Sequence, residues 1–339
     1  MTHREYVLKA ISHEQTDRIP YTLGFEGGTE EELDQYYGSP TWRNKVQQFI
    51  RGIGGIDTVV ERRVDNSFAI DAFGSLWRVD VGANHLEKPA IAGTPSFDGV
   101  QWPKSDDFPM KLDDDILACT GPDARQASII YMPWGLFEQS WRIRGFQNVM
   151  MDCVTDVDFY EELLDRLTEL YLAHVQRCRS IPADAIMFMD DWGDQRGVIL
   201  GPERWRKYLK PRWARLYAAV HDQGKLVISH CCGSFSDILP DIIEIGLDVI
   251  ESVQPEPRGM DPFELKLRFG SEITFWGCLG SQSTIPFGTP DEIRARVEEL
   301  CRVMGRGGGY ILAPAKYIQP GTPASNSAAV VEAFARNNL

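Results

Sequence analysis

The chain has 339 residues, a length that permits either two domains or one barrel with additions. It contains 35 Lys and Arg against 49 Asp and Glu, and this net charge of −14 argues against nucleic acid as a partner. No apolar run reaches the roughly 18 residues of a membrane span, and residues 1–5 lack a signal-peptide pattern. We therefore expect a cytoplasmic protein that does not enter a membrane.

The chain has seven cysteines, an odd number, and they are irregularly spaced. No Cys-x-x-Cys pair occurs among them. This pattern argues against a disulfide framework. Any cysteine chemistry must come from residues that the fold brings together.

The N-terminal region predicts an amphipathic helix over residues 2–16 and a first strand over 19–25. The two glycines after Glu26 allow a tight turn, which would leave this carboxylate at a strand end. Glu26 could equally be a solvated loop residue. Residues 60–110 are irregular and strand-like, and we interpret them as an insertion of extra strands and loops. The aromatic-rich stretch 128–146 is predicted to end one strand, and its aromatic side chains could line a pocket or fill the core.

From residue 156 onwards, apolar helical periods alternate with short apolar strands. Helices are predicted over 156–180, from 202, and over 235–245, 261–268, 290–304 and 323–335, and strands over 185–190, 225–230, 248–253, 273–278 and 309–313. Such alternation requires parallel pairing with right-handed crossovers. Because no Gly-x-Gly-x-x-Gly follows the first strand, the pattern argues against a dinucleotide-binding sheet. It favours an α/β fold of the (β/α)8 barrel type, with residues 1–339 as one domain.

Polar residues gather at the predicted carboxyl ends of the strands, where barrels of this type place their chemistry. The set consists of Asp190, Asp191, Trp192, His230, Cys232, Gln254, Cys278, Gln282 and Lys316. Several consecutive strands ending in such groups indicate a site, because a structural strand end needs none of them.

The stretch 225–234 is the centre of this set. Side chains alternate along a strand, so His230 and Cys232 share one face while Cys231 points the opposite way. An imidazole and a thiolate on one face form half of a zinc site. The alternative is a hydrogen-bonded core histidine beside two small buried cysteines.

Asp190 and Asp191 cannot both point inward on a regular strand. The inward one could serve as a general base, a metal partner or a hydrogen-bond acceptor for substrate, while the other caps the following turn. Lys316 is either a counter-ion for these aspartates or a cation that faces the substrate.

An ordered set of motifs resembles the uroporphyrinogen decarboxylase superfamily. The motifs are residues 189–197 (MDDWGDQRG), 202–205 (PERW), 230–233 (HCCG), 275–277 (FWG) and 308–314 (GGYILAP), with 18–20 (RIP) and 322–326 (TPASN) at the two ends. The resemblance covers nearly the whole chain and is strongest from 185 to 326. It implies a (β/α)8 barrel with its site at the strand carboxyl ends, but it does not specify one activity.

Two branches of this superfamily imply different chemistry. The decarboxylase branch holds a porphyrinogen with basic residues near its N-terminus, whereas residues 21–28 here contain an acid, Glu26, and no base. An octacarboxylate substrate is therefore disfavoured. The other branch comprises zinc-dependent corrinoid methyltransferases, which bind zinc through His-x-Cys-Gly and a later cysteine.

His230 and Cys232 match the first two zinc ligands of that branch, but the third position falls on Lys316. An ammonium does not ligate zinc, so the site needs a substitute such as Cys278, Glu26 or an aspartate of 190–191, or it holds no metal.

The resemblance implies an enzyme, and we expect methyl transfer between a small methylated substrate, a corrinoid and a thiol. The alternatives are a decarboxylase acting on a tetrapyrrole or another small carboxylate, and a non-catalytic protein that binds a corrinoid or tetrapyrrole. Asp190, Asp191 and Lys316 are the candidate catalytic residues, and Glu26, Trp192, Gln254 and Gln282 the candidate substrate-binding residues. A small-molecule substrate and a corrinoid protein are the candidate partners, and a homodimer is the candidate assembly.

Overall fold

The computed structural model of this chain describes residues 1–56, 62–80 and 84–337. The described residues form twelve strands: β1 (Ile50–Ile56), β2 (Arg62–Arg63), β3 (Phe68–Ile70), β4 (Leu76–Arg78), β5 (His85–Lys88), β6 (Met110–Leu112), β7 (Ala127–Trp134), β8 (Ala185–Met189), β9 (Leu226–His230), β10 (Val249–Val253), β11 (Thr274–Leu279) and β12 (Tyr310–Pro314). The larger sheet has the order β12-β11-β10-β9-β8-β7-β1-β6. All of its neighbouring pairs are parallel except β1 with β6.

Helices separate the parallel strands along the chain. They are α1 (His3–Ile11), α2 (Thr29–Tyr37), α3 (Asp114–Leu117), α4 (Leu136–Arg144), α5 (Phe146–Thr155), α6 (Val157–Arg177), α7 (Pro202–Arg204), α8 (Lys210–His221), α9 (Leu239–Glu244), α10 (Pro262–Phe269), α11 (Thr284–Phe287), α12 (Pro290–Met304) and α13 (Ala324–Ala335), with 3-10 turns at Pro40–Lys45, Ser105–Asp107 and Ser236–Ile238 and a π turn at Trp205–Leu209. None of the described helices is long and apolar enough to cross a membrane.

The predicted alternation of strands and helices after residue 156 is confirmed. The sequence supplies clear local signals there. At α12, for example, the Thr289 hydroxyl accepts from the Glu292 amide, the Glu292 carboxylate accepts from the Thr289 amide, and Pro290 occupies the first turn. This reciprocal cap satisfies amides that the helix cannot pair internally.

The core lies between the larger sheet and its helices. Every residue of β11 and β12 is buried, as expected for parallel strands that are covered on both faces. The helix α6 turns Leu163, Leu167 and Leu170 toward this core at helical spacing.

The N-terminal segment departs from the predicted elements in two ways. The first helix ends at Ile11, well before residue 16. Residues 19–25 form no continuous strand, but Tyr21 and Phe25 make parallel bridges to Leu312 and Ile318, beside and beyond β12. This segment is therefore a neighbour of the last parallel strand.

The insertion predicted over 60–110 contains extra strands, as expected. Residues 60, 61 and 81–83 of it lie outside the described part of the chain. The remainder includes β2 to β5, which form an antiparallel sheet in that order, and β6 follows it and pairs with β1. Arg144 ties the insertion to the helices, because its guanidinium donates to the Ile91 and Gly93 carbonyls and pairs with Asp152.

Residues 128–146 contain more than the predicted end of one strand. The chain leaves β7 at Trp134 and begins α4 two residues later, and neither α4 nor α5 was predicted. The Arg142 guanidinium lies 3.9 Å from the centre of the Trp134 ring and 4.8 Å from that of Trp77. The Arg142 guanidinium therefore packs against one aromatic ring of the insertion and one at the end of β7.

Candidate active site

A cavity of about 430 Å³ opens at the carboxyl ends of several parallel strands. This volume falls within the roughly 300–1,000 Å³ of small-molecule sites. Residues from β1 and from β7 to β12 line it, together with the segment after β12 and part of 19–25. Its polar and charged lining residues include Thr22, Glu26, Gln48, Tyr131, His230, Glu251, Ser252, Lys316 and Tyr317.

Asp191, His230 and Cys232 form a cluster beside this cavity. One potential ligand atom from each residue lies within 4.8 Å of those of the other two, and within the described residues no other such group of His, Cys, Asp or Glu is present. Asp191 Oδ1 accepts a hydrogen bond of 2.9 Å from the Cys232 amide and lies 3.7 Å from His230 Nε2. Cys231 is fully buried on the opposite side, as strand alternation predicts.

Two glycines bring the chain segments of this cluster together. A Cβ at Gly193 would lie 2.1 Å from the Ser234 carbonyl oxygen, and one at Gly233 would lie 2.0 Å from that of Gly193. The loop after β8 can therefore lie directly against the loop after β9. This close approach places Asp191 next to Cys232.

Glu251 fixes the orientation of the His230 ring. It lies in β10 directly beside His230 in the register of the two strands, and its Oε2 is 2.5 Å from His230 Nδ1. Burial would lower the pKa of His230, but Glu251, Cys232 and Asp191 together outweigh burial and raise that pKa well above its usual value. Glu251 was not among the candidates from the sequence, although its position next to His230 follows from parallel pairing of the two predicted strands.

Asp190 lies on the other side of β8 and is fully buried. Its carboxylate accepts from the amides of Phe137 and Glu138, at 3.1 and 2.8 Å, and from the Trp192 indole at 2.9 Å. Burial raises the pKa of Asp190 to about 7, and these hydrogen bonds oppose that shift. The Asp190 carboxylate therefore caps the N-terminus of α4. Asp190 does not line the cavity.

Trp192 is 1% exposed and packs edge to face against Trp205 and Trp213. The structure therefore places this candidate substrate-binding residue in the core. Its indole nitrogen is occupied by Asp190.

Gln254 and Gln282 lie together but outside the cavity lining. The Gln282 side-chain Nε2 donates to Gln254 Oε1 at 2.9 Å, and Gln254 is 3% exposed. Gln282 instead borders a larger but shallow groove of about 890 Å³ beside α11 and α12. That groove lacks the Asp191, His230 and Cys232 cluster, so we assign the chemistry to the smaller, more enclosed cavity.

Glu26 and Lys316 both line the cavity. The Lys316 amide donates to Ser281 Oγ at 2.8 Å, which holds this residue next to the end of β11. Cys278, the third-ligand candidate, is 1% exposed and does not belong to the cluster. Burial raises the pKa of its thiol, which opposes formation of a thiolate there.

Glu138, in the first turn of α4, is a buried carboxyl group that no sequence pattern singles out. Burial, followed by the charges of Asp190 and Asp191, raises its pKa to about 8. The side chain therefore carries a proton at neutral pH.

The cluster offers the ligand types that zinc uses. Imidazole nitrogen, thiolate sulfur and carboxylate oxygen are all common zinc donors, and three protein ligands leave a fourth position open in catalytic sites. Glu251 supplies the carboxylate that zinc-bound histidines commonly contact through their second ring nitrogen. The residues present therefore fit a zinc ion.

The fold and this cluster define an α/β protein with a candidate metal centre at the carboxyl ends of parallel strands. The family model of uroporphyrinogen decarboxylase (URO-D) matches residues 123–336, and the chain belongs to that family.

Its relatives include both methyltransferases and decarboxylases. The methylcobamide:CoM methyltransferase MtaA of Methanosarcina barkeri is 28% identical over 180 residues, which are 53% of this chain and 50% of that protein. The uroporphyrinogen decarboxylase of Coxiella burnetii is 25% identical over 179 residues, 52% and 47% of the two chains. The chain spans about half the length of these curated relatives.

A solved methyltransferase from Methanosarcina mazei aligns with 98% of each chain at a TM-score of 0.71 and 19% identity. This similarity shows that the two proteins share a fold.

Proposed function

We propose that this protein is a methyltransferase that moves a methyl group between a small methylated substrate, a corrinoid on a partner protein, and a thiol. The observation that carries the proposal is the cluster of Asp191, His230 and Cys232 beside the cavity. The relative named methylcobamide:CoM methyltransferase supports it. When bound, a zinc ion at these three residues would act as a Lewis acid that lowers the pKa of the acceptor thiol.

The residues of the chain have separate tasks in this scheme. Glu251 holds His230 with Nε2 facing Asp191, so that the ring does not have to reorient when a ligand binds. Asp191 also accepts from the Cys232 amide, which fixes the carboxylate beside the thiol. Asp190, in the adjacent position, secures α4 and takes no part in the chemistry.

The second candidate function is decarboxylation, and Lys316 in the cavity lining is the observation that favours it. A lysine there, with Asp191, could stabilise and protonate a carbanion after loss of carbon dioxide. Among the described residues that line the cavity, however, Lys316 is the only lysine or arginine, and it is accompanied by Glu26 and Glu251. A substrate with many carboxylates is disfavoured by this balance of charge.

We further propose that residues 19–25 close the parallel strands into a (β/α)8 barrel, and that residues 1–339 form one domain. The Leu312 amide donates to the Pro20 carbonyl at 2.9 Å, and the Thr22 amide donates to the Leu312 carbonyl at 3.1 Å. On the other side, the Phe49 amide donates to the Tyr21 carbonyl at 3.3 Å. The segment thus contacts both β12 and the residue that precedes β1.

Metal analysis of protein purified without added metal tests the proposed function. We expect about one zinc per chain, lost in His230→Ala and Cys232→Ser but retained in His85→Ala and Cys119→Ser, which change exposed residues elsewhere. The wild type and both control variants should transfer a methyl group between methylcobalamin and a thiol. Absence of metal together with carbon dioxide release from a tetrapyrrole would contradict methyl transfer and favour the decarboxylase.

A further inference from the structure

We propose that the cavity binds a small zwitterion with a methylated onium group, either ammonium or sulfonium, at one end and a carboxylate at the other. The onium methyl group is the one transferred. This assignment rests on the methyl transfer proposed above and names its substrate class.

One part of the cavity is aromatic and acidic. Tyr131 of β7 and Tyr317 line it with Glu26 and Glu251. Burial raises the pKa of the Tyr131 hydroxyl, and neighbouring Tyr317 and Glu251 raise it further. Burial also raises the pKa of Tyr317, with contributions from Glu251 and Glu26. Two rings and two carboxylates therefore lie close enough to influence one another, and aromatic faces of this kind attract methylated onium cations.

The aromatic rings are held in place by their surroundings. A Cβ at Gly52 would lie 2.2 Å from the Tyr131 ring, and one at Gly24 would lie 2.5 Å from the Tyr317 ring. Each ring thus lies directly against the main chain at a glycine. A third ring, that of Trp276, is fixed by a hydrogen bond of 2.9 Å to Thr22 Oγ1. Tyr131 and Trp276, which are fixed before binding, lose little conformational entropy when a ligand arrives, whereas Tyr317 is 55% exposed.

Lys316 supplies the opposite charge to the cavity lining. Its main chain is bonded to Ser281 after β11, whereas the ring of the next residue, Tyr317, lies against Gly24 in the 19–25 segment. The two consecutive residues are thus held by different neighbours. In the part of the chain that the structure describes, no carboxylate forms an ion pair with the Lys316 ammonium.

The charges of the lining select the ligand class. A polyanion would meet Glu26 and Glu251, and a simple cation would leave Lys316 unmatched. A zwitterion places an onium by Glu26 and the rings and a carboxylate by the lysine, while Glu251 stays paired with His230, so each charge has a partner. Because Glu251 also contacts His230 at 2.5 Å, the onium end lies on the side of the proposed zinc cluster.

Transfer from an onium to a thiolate is balanced without another reactant. The sulfur electron pair forms the new bond to the methyl carbon. The electron pair of the broken C–N or C–S bond leaves on a neutral amine or sulfide. No proton, oxidant or reductant is consumed.

Isothermal titration calorimetry tests this assignment with defined probes. Trimethylammonioacetate and dimethylsulfonioacetate represent the two onium types, and 3,3-dimethylbutanoate has the shape of the first with a neutral carbon in place of nitrogen. We expect at least one zwitterion to bind about tenfold or more tightly than 3,3-dimethylbutanoate, because the uncharged quaternary carbon of the latter makes no cation–π contact and is not attracted to the acidic side chains of the cavity. The comparison between the two zwitterions identifies the preferred onium.

Variants separate the two ends of the ligand. Tyr317→Leu and Glu26→Gln should each weaken zwitterion binding roughly 3- to 10-fold without weakening the binding of 3,3-dimethylbutanoate. Lys316→Met should weaken binding of the zwitterion but not of tetramethylammonium, which has no carboxylate. Tyr36→Leu removes an exposed tyrosine outside the cavity and serves as the control.

Equal binding of the zwitterions and 3,3-dimethylbutanoate, or no binding of any onium, would overturn this inference. Calorimetry requires neither turnover nor a corrinoid, so its result is independent of the proposed function. Selective zwitterion binding without methyl transfer from any donor would count against the methyltransferase instead. Transfer from a neutral donor such as methanol, with no onium binding, would overturn the substrate class and leave the methyltransferase intact.

Discussion

The Nδ1 atom of His230 lies 2.5 Å from Oε2 of Glu251, its direct neighbour in the adjacent parallel strand. With Nδ1 donating to this carboxylate, Nε2 is the ring nitrogen that faces Asp191, 3.7 Å away, and it can bind a metal once it has lost its proton. The pairing of two strands therefore decides which nitrogen can bind a metal.

Replacing Glu251 should weaken zinc binding although Glu251 is not a ligand. For Glu251→Ala we expect an affinity about 10- to 100-fold lower, because the His230 ring loses the acceptor that orients it. Competition with a chromophoric chelator measures the change. Glu264→Ala, at an exposed position in α10, is the control, and equal affinities for the two variants would show that Glu251 does not support the metal site.

Substitution of Asp190 and of Asp191 should change different properties of the protein. Asp191→Asn should lower zinc affinity with little effect on the free energy of unfolding, because Asp191 is partly exposed beside the ligand atoms. Asp190→Ala should destabilise the protein by about 2–4 kcal/mol, because three buried donors lose their acceptor.

Urea denaturation and metal titration on both variants separate these effects. A loss of metal in Asp190→Ala without any loss of stability would contradict the assignment of Asp190 to the cap of α4.

Much of the fold could be predicted from the sequence, because strand and helix periods after residue 156 agree with the packing they produce. Four helices before that point, α2, α3, α4 and α5, were missed. Only Gly135 separates the end of β7 from the start of α4. The side chain that caps α4 is that of Asp190, which lies more than fifty positions later in the chain. A cap supplied from that distance leaves no local signal.

The site was predictable to the extent that strand alternation determines it. Alternation correctly separates Cys231 from Cys232 and shows that Asp190 and Asp191 point in different directions, but it does not show which of the two reaches the site. Trp192 follows the same strand end, yet it packs against two tryptophans from the next helical region. Such packing is decided by tertiary contacts that no spacing rule contains.

His174 should make the stability of the protein depend on pH below neutrality. The ring is fully buried in α6, and its Nδ1 lies 2.7 Å from Ser105 Oγ. Burial, followed by the charge of Arg177, lowers the pKa of His174 to about 3. Between its usual pKa of about 6.5 and that value, the unfolded chain binds a proton that the folded chain does not, so stability falls as pH falls.

We expect a loss of about 2 kcal/mol between pH 6.5 and pH 5 from this residue. Urea denaturation at both pH values measures it, and His174→Gln should remove most of the His174 contribution. His85→Gln, at an exposed position in β5, should keep the wild-type dependence. An unchanged pH dependence in His174→Gln would show that the histidine is protonated in the folded protein or does not contribute.

The family resemblance of the motifs predicts that Lys316 occupies the position of the third zinc ligand of the methyltransferase branch, and here Asp191 lies in the cluster instead. If residue 316 still faces the metal, its ammonium opposes metal binding by charge repulsion, and a thiolate at the same position would add a ligand. We expect Lys316→Cys to bind zinc more tightly than the wild type and to lose native activity. Lys316→Met removes the charge without adding a donor, so comparing the two variants by chelator competition separates repulsion from ligation. Tighter binding in Lys316→Cys than in Lys316→Met would place residue 316 within reach of the metal, whereas equal affinities would limit Lys316 to contact with the substrate.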